Sequence, residues 1–204
     1  MRFCHFSGSG ATRRPKGADK PMPEEFIIRH CAPTLAGLKA GNLLSCPDTG
    51  LDETRCAIAH WNHKLGQKGV RFALLGRRNG RVLILAYRLS RLERALREPG
   101  VRSFLSGLGY PYEHIPDMIA HLGARVSAGG SFPHEIGVFL GYPLADVKAF
   151  IEQKGENCAC CGCWKAYADQ NTAKEAFEKY KKCAEVYRRC HARGADICRL
   201  TITA

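Results

Sequence analysis

The chain has 204 residues, 45% of them hydrophobic, which predicts one globular domain with a real core, with or without an appendage. No apolar run reaches the roughly 18 residues of a membrane span, and residues 1–21 lack the apolar segment of a secretory signal. The eleven cysteines are an odd number, in a chain too long for a small disulfide-stapled scaffold. We therefore expect a cytoplasmic protein with reduced thiols and no membrane span.

The net charge of +12 arises partly in a short basic segment at the N-terminus. Residues 1–21 carry five basic side chains and one acidic one, together with several glycines and prolines and little to bury. Such a composition predicts a flexible extension. Because Met22 and the residues after it resemble a natural protein start, the extension is also interpretable as a mis-assigned start.

Residues 22–204 are predicted to form a single α+β domain, mostly helical, with one β-hairpin and one or two further short strands. The first part, residues 24–45, is predicted to be helical or helix-turn, and Pro33 argues against one uninterrupted helix. The spacing of apolar residues predicts an amphipathic helix over Asp52–Leu65. Thr34 and Asp52 are the candidate caps in this part of the chain.

The hairpin is predicted from Asn79-Gly80, which separates two apolar runs at residues 70–76 and 81–88. A helix over residues 90–97, capped by Ser90, is predicted to follow. Further helices are predicted at residues 102–108, 113–122, 133–140, 144–153 and 172–192, and further short strands at 164–168 and 197–203.

Three segments of the body resemble one protein family in their order and spacing. They are Cys31–Lys39, then Phe132–Pro143 followed by Asp146 and Val147, then Gly162–Tyr167 followed by Asp169. Together they resemble domain-of-unknown-function family 3793 of anaerobic Firmicutes over about residues 22–190. The resemblance implies a cytoplasmic protein of about this size and no known reaction. The Cys-rich approach to Trp164 and the basic N-terminal segment depart from the family pattern.

A thiol site is the first functional hypothesis. A cysteine near a helix N-terminus can have a lowered pKa, and Cys31 precedes a turn. A base would come from His30 or, across the fold, from His134 with Glu135 nearby. Since adjacent residues on a helix point about 100° apart, His134 and Glu135 need not act as a unit. The alternative is that Cys31 is a small buried core residue.

A metal site is the second hypothesis, because four sulfurs fall within six residues, at Cys158, Cys160, Cys161 and Cys163. Thiolates at this density suit zinc or an iron–sulfur cluster as cofactor. Their spacing differs from the paired cysteines of a zinc ribbon. A sulfur from the following helix, at Cys183 or Cys190, would complete the site. The alternative is a reduced loop that holds no metal.

Nucleic-acid binding is the third hypothesis. Residues 132–151 resemble a helix-turn-helix, and nine arginines with only two acids lie between Arg71 and Arg102. The expected outward residues of the second helix, Asp146 and Lys148 among them, are poorly suited to reading base edges. Helix packing and a solvated charged face are the alternatives for these two features.

A ligand pocket is predicted around Trp164, which would stack on a ligand, and Lys165, which would meet an anion. Lys39, Arg88 and Tyr167 are the further candidate contacts, although a strand with one buried face would show the same alternation. The sequence thus favours a small-molecule or metal-handling protein that uses thiols. A nucleic-acid-binding regulator and a structural interaction protein are the alternatives, and enzymatic activity and oligomeric state are left open.

Overall fold

A computed structural model describes residues 22–203, so the extension predicted at residues 1–21 lies outside the described residues. Its elements are, in chain order, α1 (Glu24–Leu35), β1 (Gly41–Pro47), α2 (Leu51–Leu65), a 3-10 turn (Gly66–Lys68), β2 (Val70–Arg78), β3 (Arg81–Arg88), α3 (Leu89–Leu96), α4 (Val101–Ser106), α5 (Ile115–Ser127), α6 (Ile136–Phe139), α7 (Leu144–Glu152), β4 (Cys160–Cys161), β5 (Lys165–Ala166), α8 (Gln170–Ala192) and α9 (Ile197–Leu200). The prediction of a mostly helical α+β fold is confirmed.

A three-stranded antiparallel sheet in the order β1-β3-β2 stands at the centre of the molecule. The β2–β3 hairpin is confirmed, with Arg78 opposite Arg81 as its last pair. Asn79 and Gly80 between them have φ angles of 51° and 68°. Two positive φ angles match the twist of a two-residue hairpin turn, which is why Asn-Gly predicts it.

Strand β3 faces two separate cores, because successive side chains of a strand point to opposite faces of the sheet. Leu83 and Leu85 pack with helices α3 to α7, in what we call the α5-side core. Val82, Ile84 and Ala86 pack with α1, α2 and α9, in what we call the α1-side core. Both faces of the sheet are therefore covered, and β3 is an apolar run without polar alternation.

Two element predictions are wrong, for a tertiary reason. Residues 41–45 are not helical but lie in strand β1, which pairs along β3 from Gly41 opposite Tyr87 to Pro47 opposite Arg81. Residues 197–203 do not form a strand, because the short helix α9 occupies most of that segment. Its first residue, Ile197, is wholly buried in the α1-side core.

The three predicted helix caps are also wrong. Thr34 lies inside α1, Asp52 lies in the first turn of α2 after a Gly50 cap, and Ser90 lies inside α3. Side-chain caps occur instead at α8, where Asp169 accepts from the Thr172 N–H, and at α9, where Asp196 accepts from the Cys198 N–H.

A second, two-stranded sheet contains several of the predicted ligand-binding and cysteine residues. In it Cys160 lies opposite Ala166 and Cys161 opposite Lys165, and this β4–β5 hairpin is in contact with α7 and α8. The strand predicted at residues 164–168 thus exists but is shorter. Among residues 22–203, none of the helices has the length and apolar character that crossing a membrane requires.

Candidate functional site

A pocket of about 220 Å³ lies between α6, α7 and the β4–β5 hairpin, and we call it the Trp164 pocket. Its walls combine aromatic rings, aliphatic side chains and several groups with polar ends. They include Tyr142, Phe150, Trp164, Ile136, Leu140, Val147, His134, Lys154 and Lys165. Mostly apolar walls with a few convergent polar groups are typical of small-molecule sites.

The indole of Trp164 is held in place by contacts in three directions. Its Nε1–H donates to Oδ2 of Asp146 at 2.8 Å. The ring stacks on Tyr142, with centroids 5.1 Å apart and an interplanar angle of 25°, and meets Phe177 at 4.5 Å and 77°. Gly162 makes room for this arrangement, since a Cβ at that residue would lie 2.2 Å from the Phe177 ring.

Asp146 links α7 to the β4–β5 hairpin. This carboxylate is 3% exposed, and its Oδ1 accepts the backbone N–H groups of Tyr167 and Ala168 at 2.8 and 3.0 Å. With the Trp164 indole on Oδ2, both oxygens have donors, as burial of a charge requires. Asp146 was expected on an outward face of its helix, and it turns inward because these three donors lie on that side.

The three segments that carry the family resemblance meet at the Trp164 pocket. Lys39 is buried, and its Nζ lies 3.5 Å from the Tyr142 hydroxyl and 5.0 Å from the centre of that ring. The Tyr142 hydroxyl donates to the carbonyl of Cys163 at 3.0 Å. Lys39 thus supports the pocket from behind Tyr142, with a positive charge close to its wall.

The side chains of His134 and Glu135 point to different parts of the molecule. The His134 ring lines the pocket, with the Phe150 ring centroid 4.9 Å away. Burial lowers the pKa of His134, although the Glu135 carboxylate opposes this effect, so the imidazole is neutral at neutral pH. Glu135 is turned away and buried, where it accepts hydrogen bonds from the Tyr110 hydroxyl and the Arg125 guanidinium.

The structure does not bring Cys31 together with His134 and Glu135. Cys31 is wholly buried in the α1-side core, whereas Glu135 is adjacent to Ile136 of the α5-side core, across the sheet. Burial raises the pKa of Cys31 to about 12, so its thiol is protonated at neutral pH. Its position therefore matches the core alternative.

Arg88 faces the protein's own backbone. The side chain is 2% exposed and donates to four carbonyl oxygens, of Thr34, Lys68, Leu35 and Ile202, at 2.7 to 3.1 Å. Four of the five N–H groups of the guanidinium are thus used. Arg88 lies outside the Trp164 pocket, and its role is to join α1, the 3-10 turn and the C-terminal segment.

The cysteines of the β4–β5 hairpin remain a metal-site prediction. Within the described part of the chain, no three His, Cys, Asp or Glu side chains come together as a group that could hold a metal ion. Strand geometry contributes to this, because adjacent residues such as Cys160 and Cys161 point to opposite faces of their hairpin. Cys160 instead lies with its sulfur 3.9 Å from the Gln170 carbonyl.

Comparison with known proteins places the chain in a family. The sequence profile of the family described as "Protein of unknown function (DUF3793)" matches residues 27–201. The chain belongs to this family. No curated protein matches it, and no solved structure matches it. The matched range contains all three segments that meet at the Trp164 pocket.

The predicted helix-turn-helix of this family member takes a different form. The first predicted helix is present only as α6, whose four residues are all buried. The second, α7, buries Asp146 and Val147 against the rest of the protein. Two arginines of the basic cluster have partners within the protein, Arg77 the Asp48 carboxylate and Arg81 the Ser45 side chain. Nucleic-acid binding therefore stays a prediction.

Sequence reasoning missed several residues that build the pocket. Tyr142 was noted only as part of a motif, while Phe150 and Lys154 were not considered for a ligand site. Asp146 offered a readable signal, because it is the only acid in the otherwise largely apolar stretch 143–151. Its partner Trp164 lies 18 residues away in the sequence, and no local pattern indicates that pairing.

Proposed function

We propose that this protein binds a small organic molecule in the Trp164 pocket. The observation that carries the proposal is the prearranged aromatic wall, in which Asp146, Tyr142 and Phe177 hold the Trp164 ring before any ligand arrives. A wall that is already ordered reduces the entropy lost on binding, which is how rigid sites gain affinity.

The chemistry of the lining supports binding of a small molecule, and Cys163 is the one cysteine among the lining residues. Apolar contact would come from Ile136, Val147 and Phe150, and directional contacts from His134 and Lys165. Cys31 lies in the other core, so its thiol would take no part.

The two tryptophans of the chain allow a direct test. Trp61 is buried in the α1-side core, away from the pocket, and donates to the Met22 carbonyl. The Trp61→Phe protein therefore has Trp164 as its sole indole, and the Trp164→Phe protein has Trp61 alone. Each protein would be titrated with benzoate and with benzamide while indole fluorescence is recorded.

We expect a saturable change of fluorescence in the Trp61→Phe protein and none in the Trp164→Phe protein. If neither probe changes Trp164 emission, and neither shows saturation-transfer contact with the wild-type protein in NMR, the proposed function is refuted. If both indoles respond equally, the probes bind without a site and the proposal also fails.

A further inference from the structure

The charges around the Trp164 pocket are unequal. Two lysines line it, Lys154 at its exposed rim and Lys165 deeper inside, and Lys39 lies behind Tyr142. Asp146 is the one acid among the lining residues of this pocket, and its oxygens already accept from three donors. An incoming ligand would therefore meet unmatched positive charge, which favours an anion.

The ammonium of Lys165 is held in position for such a contact. Its Nζ donates to the Gly155 carbonyl, which uses one of its three N–H donors and leaves two. Gly155 has a φ of +78° and lies against Phe150, since a Cβ there would be 3.1 Å from that ring. This close approach keeps Lys165 next to the apolar wall instead of in open solvent.

The volume of the pocket corresponds to about one ring. An engineered apolar cavity of about 150 Å³ takes up benzene, with its six non-hydrogen atoms. By proportion, the pocket of about 220 Å³ has room for about nine. A benzene ring with one carboxylate has that number of atoms. A nucleotide or a peptide would extend well beyond this space.

We infer that the ligand of the Trp164 pocket is a monocyclic aromatic acid, whose ring packs against Trp164 and Phe150 and whose carboxylate meets Lys165. The inference rests on the proposed function, because it names the class of ligand for the same pocket. His134 is neutral there and supplies an N–H donor without adding charge.

Three probes separate the contribution of the ring to binding from the contribution of the charge. Benzoate has both, benzamide has the same shape without charge, and acetate has the carboxylate without the ring. We expect benzoate to bind at least about tenfold more tightly than benzamide, which is about 1.4 kcal/mol, because a charge-assisted hydrogen bond is stronger than a neutral one. Acetate should show no saturable binding in the range where benzoate saturates.

A pair of variants tests the named lysine. Lys165→Gln keeps an N–H donor for the Gly155 carbonyl and removes the charge, so it should weaken benzoate about tenfold and leave benzamide unchanged. Lys148→Gln is the matched control, with the same change of net charge on the exposed side of α7, where Lys148 lies over the Phe104 ring. It should bind both probes as the wild type does.

The outcomes distinguish this inference from the proposed function. If benzamide binds as tightly as benzoate, the pocket is a ligand site but the acid is the wrong class. If acetate matches benzoate, the ring has no part and the inference is overturned. The ranking in wild-type protein needs no variant, so a folding defect of Lys165→Gln leaves the test intact. Absence of binding by all three probes refutes the proposed function itself.

Discussion

Replacing Arg88 by methionine tests whether a buried guanidinium holds the α1 side of the fold together. Methionine has a similar length and keeps the apolar contacts of the side chain, but it donates no hydrogen bond. The change removes one donor from each of four carbonyl oxygens. Its effect therefore measures those hydrogen bonds more than a loss of volume.

The magnitude follows from the hydrogen-bond partners that each carbonyl keeps after the substitution. The carbonyls of Thr34 and Leu35 still accept the backbone N–H groups of Gly37 and Ile202, at 3.1 and 3.2 Å. The bonds to Lys68 and Ile202 are partly buried and can be replaced by solvent. A hydrogen bond contributes about 0.5–1.5 kcal/mol net to stability, which gives roughly 2–6 kcal/mol for the four that are lost. Removing the buried charge offsets part of this cost. We expect the free energy of unfolding to fall by about 3 kcal/mol.

Urea unfolding followed by circular dichroism measures this difference, and for a protein of this size the melting temperature should fall by roughly 6–12 °C. Arg81→Met is the matched control on the same strand, because Arg81 is exposed and bonds to Ser45 at the surface. It should cost about 1 kcal/mol or less. An Arg88→Met protein as stable as the Arg81→Met protein would refute the reasoning.

Three further predictions concern the site and the cores. Asp146→Asn should lower the free energy of unfolding by about 2–4 kcal/mol, because the amide nitrogen would face either the Trp164 N–H or the backbone donors. Urea titration measures this difference, and a change under about 1 kcal/mol would contradict the prediction. In the native protein, iodoacetamide should label the exposed Cys56 and spare Cys31, because burial raises the pKa of Cys31 to about 12. Peptide mass spectrometry measures the labelling of each cysteine, and equal labelling would show that Cys31 is not buried. Because burial lowers the folded-state pKa of His134, the unfolded chain takes up that proton more readily, so stability should be lost as the pH falls below the ordinary value of about 6.5. His134→Phe should lose less over the same interval, and an equal loss in both proteins would count against this assignment.

Much of the secondary structure could be predicted because its signals are local. Helix α2, the β2–β3 hairpin and helix α8 fall within a few residues of their predicted ranges. Strand β1 could not be predicted, because Gly41–Pro47 has no alternation and becomes a strand only by pairing with β3. Helix α9 was missed because β-branched residues favour a strand there, while burial of Ile197 and the Asp196 cap favour a helical turn.

Several residues of the candidate site could be predicted from the sequence, but the way they come together could not. Trp164 and Lys165 were expected to line a pocket, and the structure places both in one with His134. The sequence offered no means of separating Cys31 from His134, because their separation depends on which face of the sheet each contacts. It also offered no means of seeing that the Arg88 guanidinium is used by backbone carbonyls.

The sequence by itself determined the β2–β3 turn and the long helices, because positive φ at Asn79 and Gly80 and helical periodicity are properties of neighbouring residues. Only the tertiary structure decided the pocket. It depends on contacts such as that of Lys39 with Tyr142, which are 103 residues apart, and that of Asp146 with Trp164. Such contacts form when helices and strands pack, and the identity of each partner is set by the fold and not by the nearby sequence.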